Sequence, residues 1–327
     1  MRLGAANAEK AMVPQFADEL FAEDVWKASW SPSSAALTVE PVVAAGLLAE
    51  SARVVCGQEG CASRSSFWKK SGRPVFDGRW VCSSSCAKHL VGEIVRRQNR
   101  TAKALEETGT HRHRIPLGLL LVDLQLVTPL QLQCALEAQR AAGRGLIGDW
   151  LMDICGVSPE KITKAVAAQW NRPVLSNVSL TAESMALTMP AVLRQEARMA
   201  PLRLAGGKIL YAAFAGAVDY AASVALERMN GVRVECGLLS QIEFSQTEVR
   251  LDAADSVECR ELTFEDSTDL VERVVKVLFQ TQPVASKLVP VHGKWWLRMW
   301  LERQAWGARG PMPKSPEDVL DVVFRST

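Results

Sequence analysis

The stretch LGLLLVDLQLVTPLQLQCALEAQ, Leu117 to Gln139, returns as IGDWLMDICGVSPEKITKAVAAQ, Ile147 to Gln169, every position finding its counterpart thirty residues on. In each copy a Gly leads at a fixed distance to a Gln: Gly118 to Gln139, and Gly148 to Gln169. Apolar residues hold equivalent places between them, Leu121, Leu132 and Leu136 in the first copy and Leu151, Ile162 and Val166 in the second. Each copy also sets a hydroxyl-proline pair before its second half, Thr128-Pro129 and Ser158-Pro159. That is the composition of a helix start: a side-chain oxygen for an orphan N–H, then a proline whose missing N–H costs nothing there. The unit reads as helix, short turn, capped helix, used in duplicate.

This repeat resembles the amino-terminal domain of the type II secretion and type IV pilus assembly ATPases in its cyclic-di-GMP-binding (MshEN) form. That family's block runs R-L-G, a later Gly, then an apolar-spaced helix ending in Gln. The resemblance continues to about Leu251, through Trp170-Asn171-Arg172-Pro173-Val174, Ala200-Pro201-Leu202 to Ala213-Phe214, and Asn230-Gly231-Val232-Arg233-Val234. It implies a cyclic-di-GMP site in which Leu117, Ile147 and the apolar helix faces cover the guanines. Gly118 and Gly148 would let the backbone approach, and Gln139 and Gln169 would supply polar contacts. The chain departs from the family where its arginines stand two residues before each Gly: here these are Pro116 and Leu146, and the later Gly is Gln125 and Cys155. Arg114 and Arg144, four residues before each Gly, would take over the phosphates, since a guanidinium has reach and bidentate geometry. The alternative is that both are solvated loop arginines.

The family's motor is missing from the sequence. A phosphate-cradling loop needs Gly, four residues, then Gly-Lys-Ser/Thr, and Gly206-Gly207-Lys208 is followed by Ile209. It reads instead as a hairpin turn between Leu202-Arg203-Leu204 and Ile209-Leu210-Tyr211. Gly143 to Gly148 spells the dinucleotide pattern G-x-G-x-x-G, but it follows a helix rather than a strand, so the context that gives those glycines meaning is lacking. Histidines are few and dispersed, His89, His111, His113 and His292, and no nucleophile elbow appears. A non-enzymatic role is expected.

Four of the eight cysteines gather as Cys56-x4-Cys61 and Cys82-x3-Cys86, with twenty residues between the pairs. Two close pairs joined by a hairpin-sized insert suit a tetrahedral zinc ion, each pair giving two thiolates from one turn. A metal-free thiol cluster and a disulfide pair are the alternatives, and His89 is a substitute ligand. The insert reads as strands at Phe67-Trp68 and Val75-Phe76, and Ala87 to Arg100 as the following helix. The segment is similar to treble-clef-like fingers of the FCS, MYM and TRASH type, although its first pair is spaced by four residues rather than two. Cys134, Cys155, Cys236 and Cys259 sit in apolar patterns and read as buried thiols.

A chain of 327 residues, 48% hydrophobic and 23% charged, suits a soluble protein of two or three small domains. No apolar run is long enough to span a bilayer, and Met1 to Lys10 lacks a signal-peptide core, so the expected location is cytoplasmic. The net charge of +2 hides a basic segment, residues 62–114, with twelve Lys and Arg against four carboxylates from Ala62 to Arg114. Such a run can hold nucleic acid, or it is the solvated face of a helix beside a metal site.

The expected fold class is α+β multidomain: a small zinc finger, a tandem helical-pair repeat with a small α+β subdomain, and a C-terminal α+β module. Residues 1–50 read as a mostly flexible arm with a helix near Phe16 to Trp26, and residues 51–100 as the finger. Residues 110–252 form the secretion-ATPase-like domain, with the repeat at 114–170 and the α+β subdomain at 171–252, and residues 253–327 form the last module. On the strand Trp295 to Leu301, alternation puts Trp296, Arg298 and Trp300 on one side. That side is either a recognition surface or the second wall of a small core. Three functions follow: an adapter or regulatory protein whose partner is a protein, with secretion or pilus machinery as the candidate; a cyclic-di-GMP receptor; and a zinc-finger nucleic-acid binder.

Overall fold

The computed structural model describes residues 55–61, 63, 74–107, 114–301 and 312–327; the arm at 1–50 and the strand at Phe67-Trp68 lie outside the described residues. A short hairpin comes first, β1 (Val75–Phe76) pairing antiparallel with β2 (Arg79–Trp80). The turn is Asp77-Gly78 with φ of 48° and 73°, the left-handed pair a two-residue hairpin asks for. Helix α1 (Ser84–Glu107) follows and runs two turns past the expected end at Arg100. Ala87, Leu90, Val91 and Val95 give it one buried stripe.

Four helices carry the repeat: α2 (Leu117–Asp123), α3 (Pro129–Ala142), α4 (Ile147–Cys155) and α5 (Pro159–Trp170). Thr128 opens α3 with a complete capping box: Gln131 N donates to its hydroxyl at 3.2 Å, and Thr128 N donates to the Gln131 Oε1 at 2.9 Å. Ser158 holds the equivalent place before α5, but its hydroxyl makes no capping bond. The copies interlock, with α3 packing on α4 and α2 on α5, so each first helix leans on the other copy's second helix. Their shared core repeats the sequence period: Leu121 with Leu151, Val127 with Val157, Ala135 with Ala165, all buried. The duplication is therefore a folding device, since neither copy has a partner for its apolar face until the other supplies one.

One position in the first copy is strained. Gln125 follows α2 with φ of 55° in the left-handed region, where a Cβ is crowded. Replacing Gln125 by Gly is expected to stabilise the protein by about 0.5–1 kcal/mol, the relief of strain exceeding the added chain entropy. An unchanged or lower urea midpoint for that variant would count against this account.

The α+β subdomain contains α6 (Ala182–Ala186), α7 (Ala191–Glu196), β3 (Met199–Ala205), β4 (Ile209–Phe214), α8 (Tyr220–Asn230), β5 (Arg233–Leu238) and α9 (Gln241–Asp252). Its sheet runs β3-β4-β5. The antiparallel β3–β4 hairpin turns at Gly206-Gly207, as the sequence suggested, and α8 crosses over to make β5 parallel to β4. Asp219 caps α8 by accepting from Ala222 N at 2.9 Å, and Ser240 opens α9 with the expected capping box. The chain leaving the repeat is tied to this sheet: Leu238 N donates to Pro173 O at 2.9 Å and Leu175 N to Leu238 O at 2.7 Å.

The last module is β6 (Glu258–Phe264), α10 (Ser267–Thr281), β7 (Ala285–Val291), β8 (Lys294–Trp300) and β9 (Val319–Ser326), in the order β6-β9-β8-β7. Strand β6 is parallel to β9 and the other pairs are antiparallel. One face of the sheet, with Leu297, Met299, Val322 and Phe324, packs with the buried stripes of α10 and α1 and with Phe76. The cysteine module and the C-terminal module, far apart in sequence, thus share one core. The other face, with Trp296, Trp300, Val319 and Val323, joins the core of the α+β subdomain.

That second face decides between the two readings of Trp296, Arg298 and Trp300 in favour of the core wall over the recognition surface, because all three are fully buried. Arg298 stands opposite Asp321 in the β8–β9 register and forks onto it, Nε to Oδ1 at 2.9 Å and Nη2 to Oδ2 at 2.7 Å. Its Nη1 donates to Thr188 O and Asn230 Oδ1, both at 3.2 Å, and Trp296 Nε1 donates to Asp321 Oδ1 at 2.9 Å. Alternation located the face, but the cover comes from Thr188 and Asn230, 110 and 68 positions earlier. The protein is α+β and multidomain, and among the described residues no helix is long and apolar enough to cross a membrane.

Candidate functional site

The four clustered cysteines converge. Their sulfurs lie within 4.8 Å of one another, with Cys61 to Cys82 at 3.6 Å, Cys82 to Cys86 at 3.5 Å and Cys61 to Cys86 at 3.8 Å. Thiolates around a zinc ion at about 2.3 Å sit roughly 3.8 Å apart, so the group is already at ligand spacing. All eight cysteines are free, which removes the disulfide alternative from this structure. The four-residue gap in the first pair is absorbed by a tight turn, Cys61 N donating to Gln58 O at 3.2 Å across Gly60 with φ of 77°. Ser83 sets the second pair, its Oγ accepting from Cys86 N at 3.3 Å as α1 begins.

The thiols act on each other. Burial pushes Cys82 up, but hydrogen bonding with Cys86, Cys56, Cys61 and Ser83 outweighs it and brings its pKa down to about 7. For Cys86 the Ser83 bond lowers the pKa, while burial and the bonds with Cys82, Cys61 and Cys56 raise it to about 12. A donor set that stabilises one thiolate with its neighbours' S–H groups is one that a soft divalent cation would complete. His89 is not part of it; half exposed, it faces Glu93 at 3.6 Å. Among the scattered cysteines, Cys236 is buried as expected and Cys155 and Cys259 are half-buried, but Cys134 is exposed on α3.

In the repeat, the two glutamines close the structure on itself. Gln139 Nε2 donates to Gly145 O at 2.8 Å, and Gln169 Nε2 donates to Ile115 O at 2.7 Å. Each thereby fastens the chain entering the other copy, three residues before its Gly. Leu121 and Leu151 are fully buried in the shared core. A Cβ on Gly118 would lie 2.7 Å from Leu132 Cδ1, and one on Gly148 would lie 3.0 Å from Ile162 Cγ2, so both glycines admit a close helix–helix contact. Arg114 lays its guanidinium over the Trp170 ring, 3.2 Å from the centroid. Arg144 is exposed, and its carbonyl accepts from Trp150 Nε1 at 3.0 Å. Leu117, Leu132, Leu136, Ile147 and Ile162 are half-buried, and Leu117, Ile147 and Ile162 pack against the shared core.

A cavity of about 840 Å³ opens between the second copy and the α+β subdomain. Leu146, Gly148, Met152, Ile162 and Val166 form one wall, and the loop Ala215 to Tyr220 with Leu238, Leu239 and Gln241 forms the other. The far wall is the carboxyl end of the parallel pair β4 and β5, where α8 and α9 begin, a position at which open parallel sheets bind ligands. Asp149, Glu196 and Asp219 line it beside Arg198, which donates to Gln241 Oε1 at 3.1 Å. Leu146 is 74% exposed, and Ile115 and Leu119 stand 60% exposed on the same repeat. Motif matching overlooked the loop at Ala215 to Tyr220; only the βαβ pattern around it points there.

No protein-family model matches the chain, and no curated protein matches it. Among solved structures it is similar to one described as MshE with cdg, at 26% identity over 42% of this chain and 99% of that one, with a TM-score of 0.35. It is also similar to the N-terminal domain of XpsE, at 18% identity over 41% of this chain and 92% of that one, with a TM-score of 0.30. A second crystal form of that domain is 16% identical over 47% of this chain and 95% of that one, with a TM-score of 0.26.

Proposed function

We propose that the chain is a non-catalytic regulatory adapter that binds through the second copy of its repeat and the loop facing it. The observation that carries this reading is the cavity of about 840 Å³, within the usual range for binding pockets. Four motif positions line it, Leu117 from the first copy and Gly148, Ile162 and Val166 from the second, and Leu146 stands exposed at its mouth. Zinc in the Cys56, Cys61, Cys82 and Cys86 cluster holds the finger in shape and supplies no chemistry beyond that. The resemblance of the repeat to secretion and pilus ATPases makes the cytoplasmic components of those machines the partners to try. Titration of the purified chain against them is expected to find one that binds, with Leu146→Asp weakening it at least ten-fold because a charge replaces an exposed apolar anchor. Absence of binding to every component, or a partner indifferent to Leu146→Asp, would remove the reading.

The same cavity favours cyclic-di-GMP as a second reading, since motif residues line it and its volume admits a cyclic dinucleotide. Calorimetric titration is expected to give a dissociation constant tighter than about 100 μM, roughly −5.5 kcal/mol, lost in Arg198→Ala, at an arginine that lines the cavity. A weaker constant ends that reading and leaves protein binding standing.

A further inference from the structure

The finger carries a second cavity, of about 370 Å³, between the β1–β2 hairpin and α1. Arg79 lines it from the hairpin and Arg96, Arg97 and Arg100 from the helix, against the carboxylates of Asp77 and Glu93. All four arginines are exposed, and among the described residues Arg79, Arg96 and Arg100 belong to no ion pair. Like charges brought to one concavity repel unless an anion joins them. Nor is the placement of Arg79 loose: Gly57 N donates to Trp80 O at 2.8 Å, and a Cβ on Gly57 would lie 2.4 Å from the Arg79 Cβ. The loop that carries Cys56 is thus pressed against the stem of Arg79 and aims it.

We propose that this cavity is a binding site for linked phosphates, the pyrophosphate group of a small molecule. Guanidinium groups grip phosphate oxygens bidentately, and the two carboxylates in the wall select a multiply charged anion over a singly charged one. The cavity is concave and near the lower end of ligand-pocket size. Its one aromatic, Phe76, is wholly buried beneath it and offers no face for a base to stack on. A small phosphorylated ligand therefore fits better than a single strand of nucleic acid. The site is separate from the repeat, so it stands or falls independently of the adapter reading.

Calorimetry on the full chain at low salt, with pyrophosphate, inorganic phosphate and a mixed-sequence single-stranded oligonucleotide, tests it. Pyrophosphate is expected to bind with a constant in the tens of micromolar, about ten-fold or more tighter than inorganic phosphate. The double variant Arg96→Ala with Arg100→Ala, both on the helix surface, is expected to lose at least ten-fold while keeping its circular dichroism. Glu93→Gln is expected to bind pyrophosphate a few-fold more tightly. Pyrophosphate binding no tighter than inorganic phosphate, or unchanged in the double variant, overturns the proposal. An oligonucleotide that outbinds pyrophosphate ten-fold through the same arginines also overturns it, and assigns the cavity to a nucleic-acid backbone.

Discussion

Asp321→Ala is expected to destabilise the protein by about 3–5 kcal/mol, because it leaves the Arg298 guanidinium fully buried and without its counter-charge. Asp321 answers both prongs of Arg298 and the indole N–H of Trp296, so its removal strands three donors at once. The effect crosses a module boundary, since Arg298 also donates to Thr188 O and Asn230 Oδ1 of the α+β subdomain. A double replacement, Arg298→Met with Asp321→Leu, removes the charge together with its partner and is expected to cost much less than the single change. Urea titration followed by tryptophan fluorescence reads both, because Trp295, Trp296 and Trp300 sit on the strand concerned. A single variant within 1 kcal/mol of the parent, on the scale of an ordinary net hydrogen bond, would show that the buried pair does not lock the C-terminal sheet to the α+β subdomain.

Stripping metal from the four-cysteine cluster is the second large effect expected. Structural zinc contributes about 10–16 kcal/mol in finger peptides at neutral pH, which is the ceiling here. The shared core carries the effect beyond the finger. Leu90, Val91 and Val95 of α1 pack with Leu270, Val274 and Leu278 of α10 and with the C-terminal sheet, so damage at the cysteines should spread into α10. The expected result is one zinc per chain by metal analysis. After chelation, amide protection should be lost over residues 55–61 and 75–86, protection in α10 reduced, and the melting temperature lowered. A fully stripped chain with unchanged protection and melting would show that the cluster is only a group of thiols.

The repeat was legible because its evidence is local. Gly118 and Gly148, the proline-marked helix starts and the fixed Gly-to-Gln distance report helix beginnings and packing faces that depend on near neighbours. The four cysteines were legible for the same reason, as two close pairs can meet at one ion. What escaped was every assignment that needs a distant partner. The face bearing Arg298 was found by alternation, but its cover, Thr188 and Asn230, lies far upstream. The periodicity of α1 was readable, its pairing with α10 was not. Cys134 fell in an apolar pattern yet points outward, since Ala135 beside it takes the buried place. Arg114 and Arg144 look equivalent in sequence, but Trp170 has no counterpart in the first copy, where Arg140 stands, so only Arg114 gains an aromatic partner.

The claim on which the account rests is that ligand or partner meets the chain at the second copy of the repeat and the loop that faces it. Hydrogen exchange by mass spectrometry, on the full chain with and without cyclic-di-GMP or a bound secretion component, tests this most directly. Slowed exchange is expected at residues 146–166 together with 196–198, 215–220 and 238–241, the segments that line the cavity, with no slowing of comparable size in the finger or the C-terminal sheet. Protection confined to the first copy, to the finger or to the C-terminal sheet, with residues 146–166 unchanged, would contradict it.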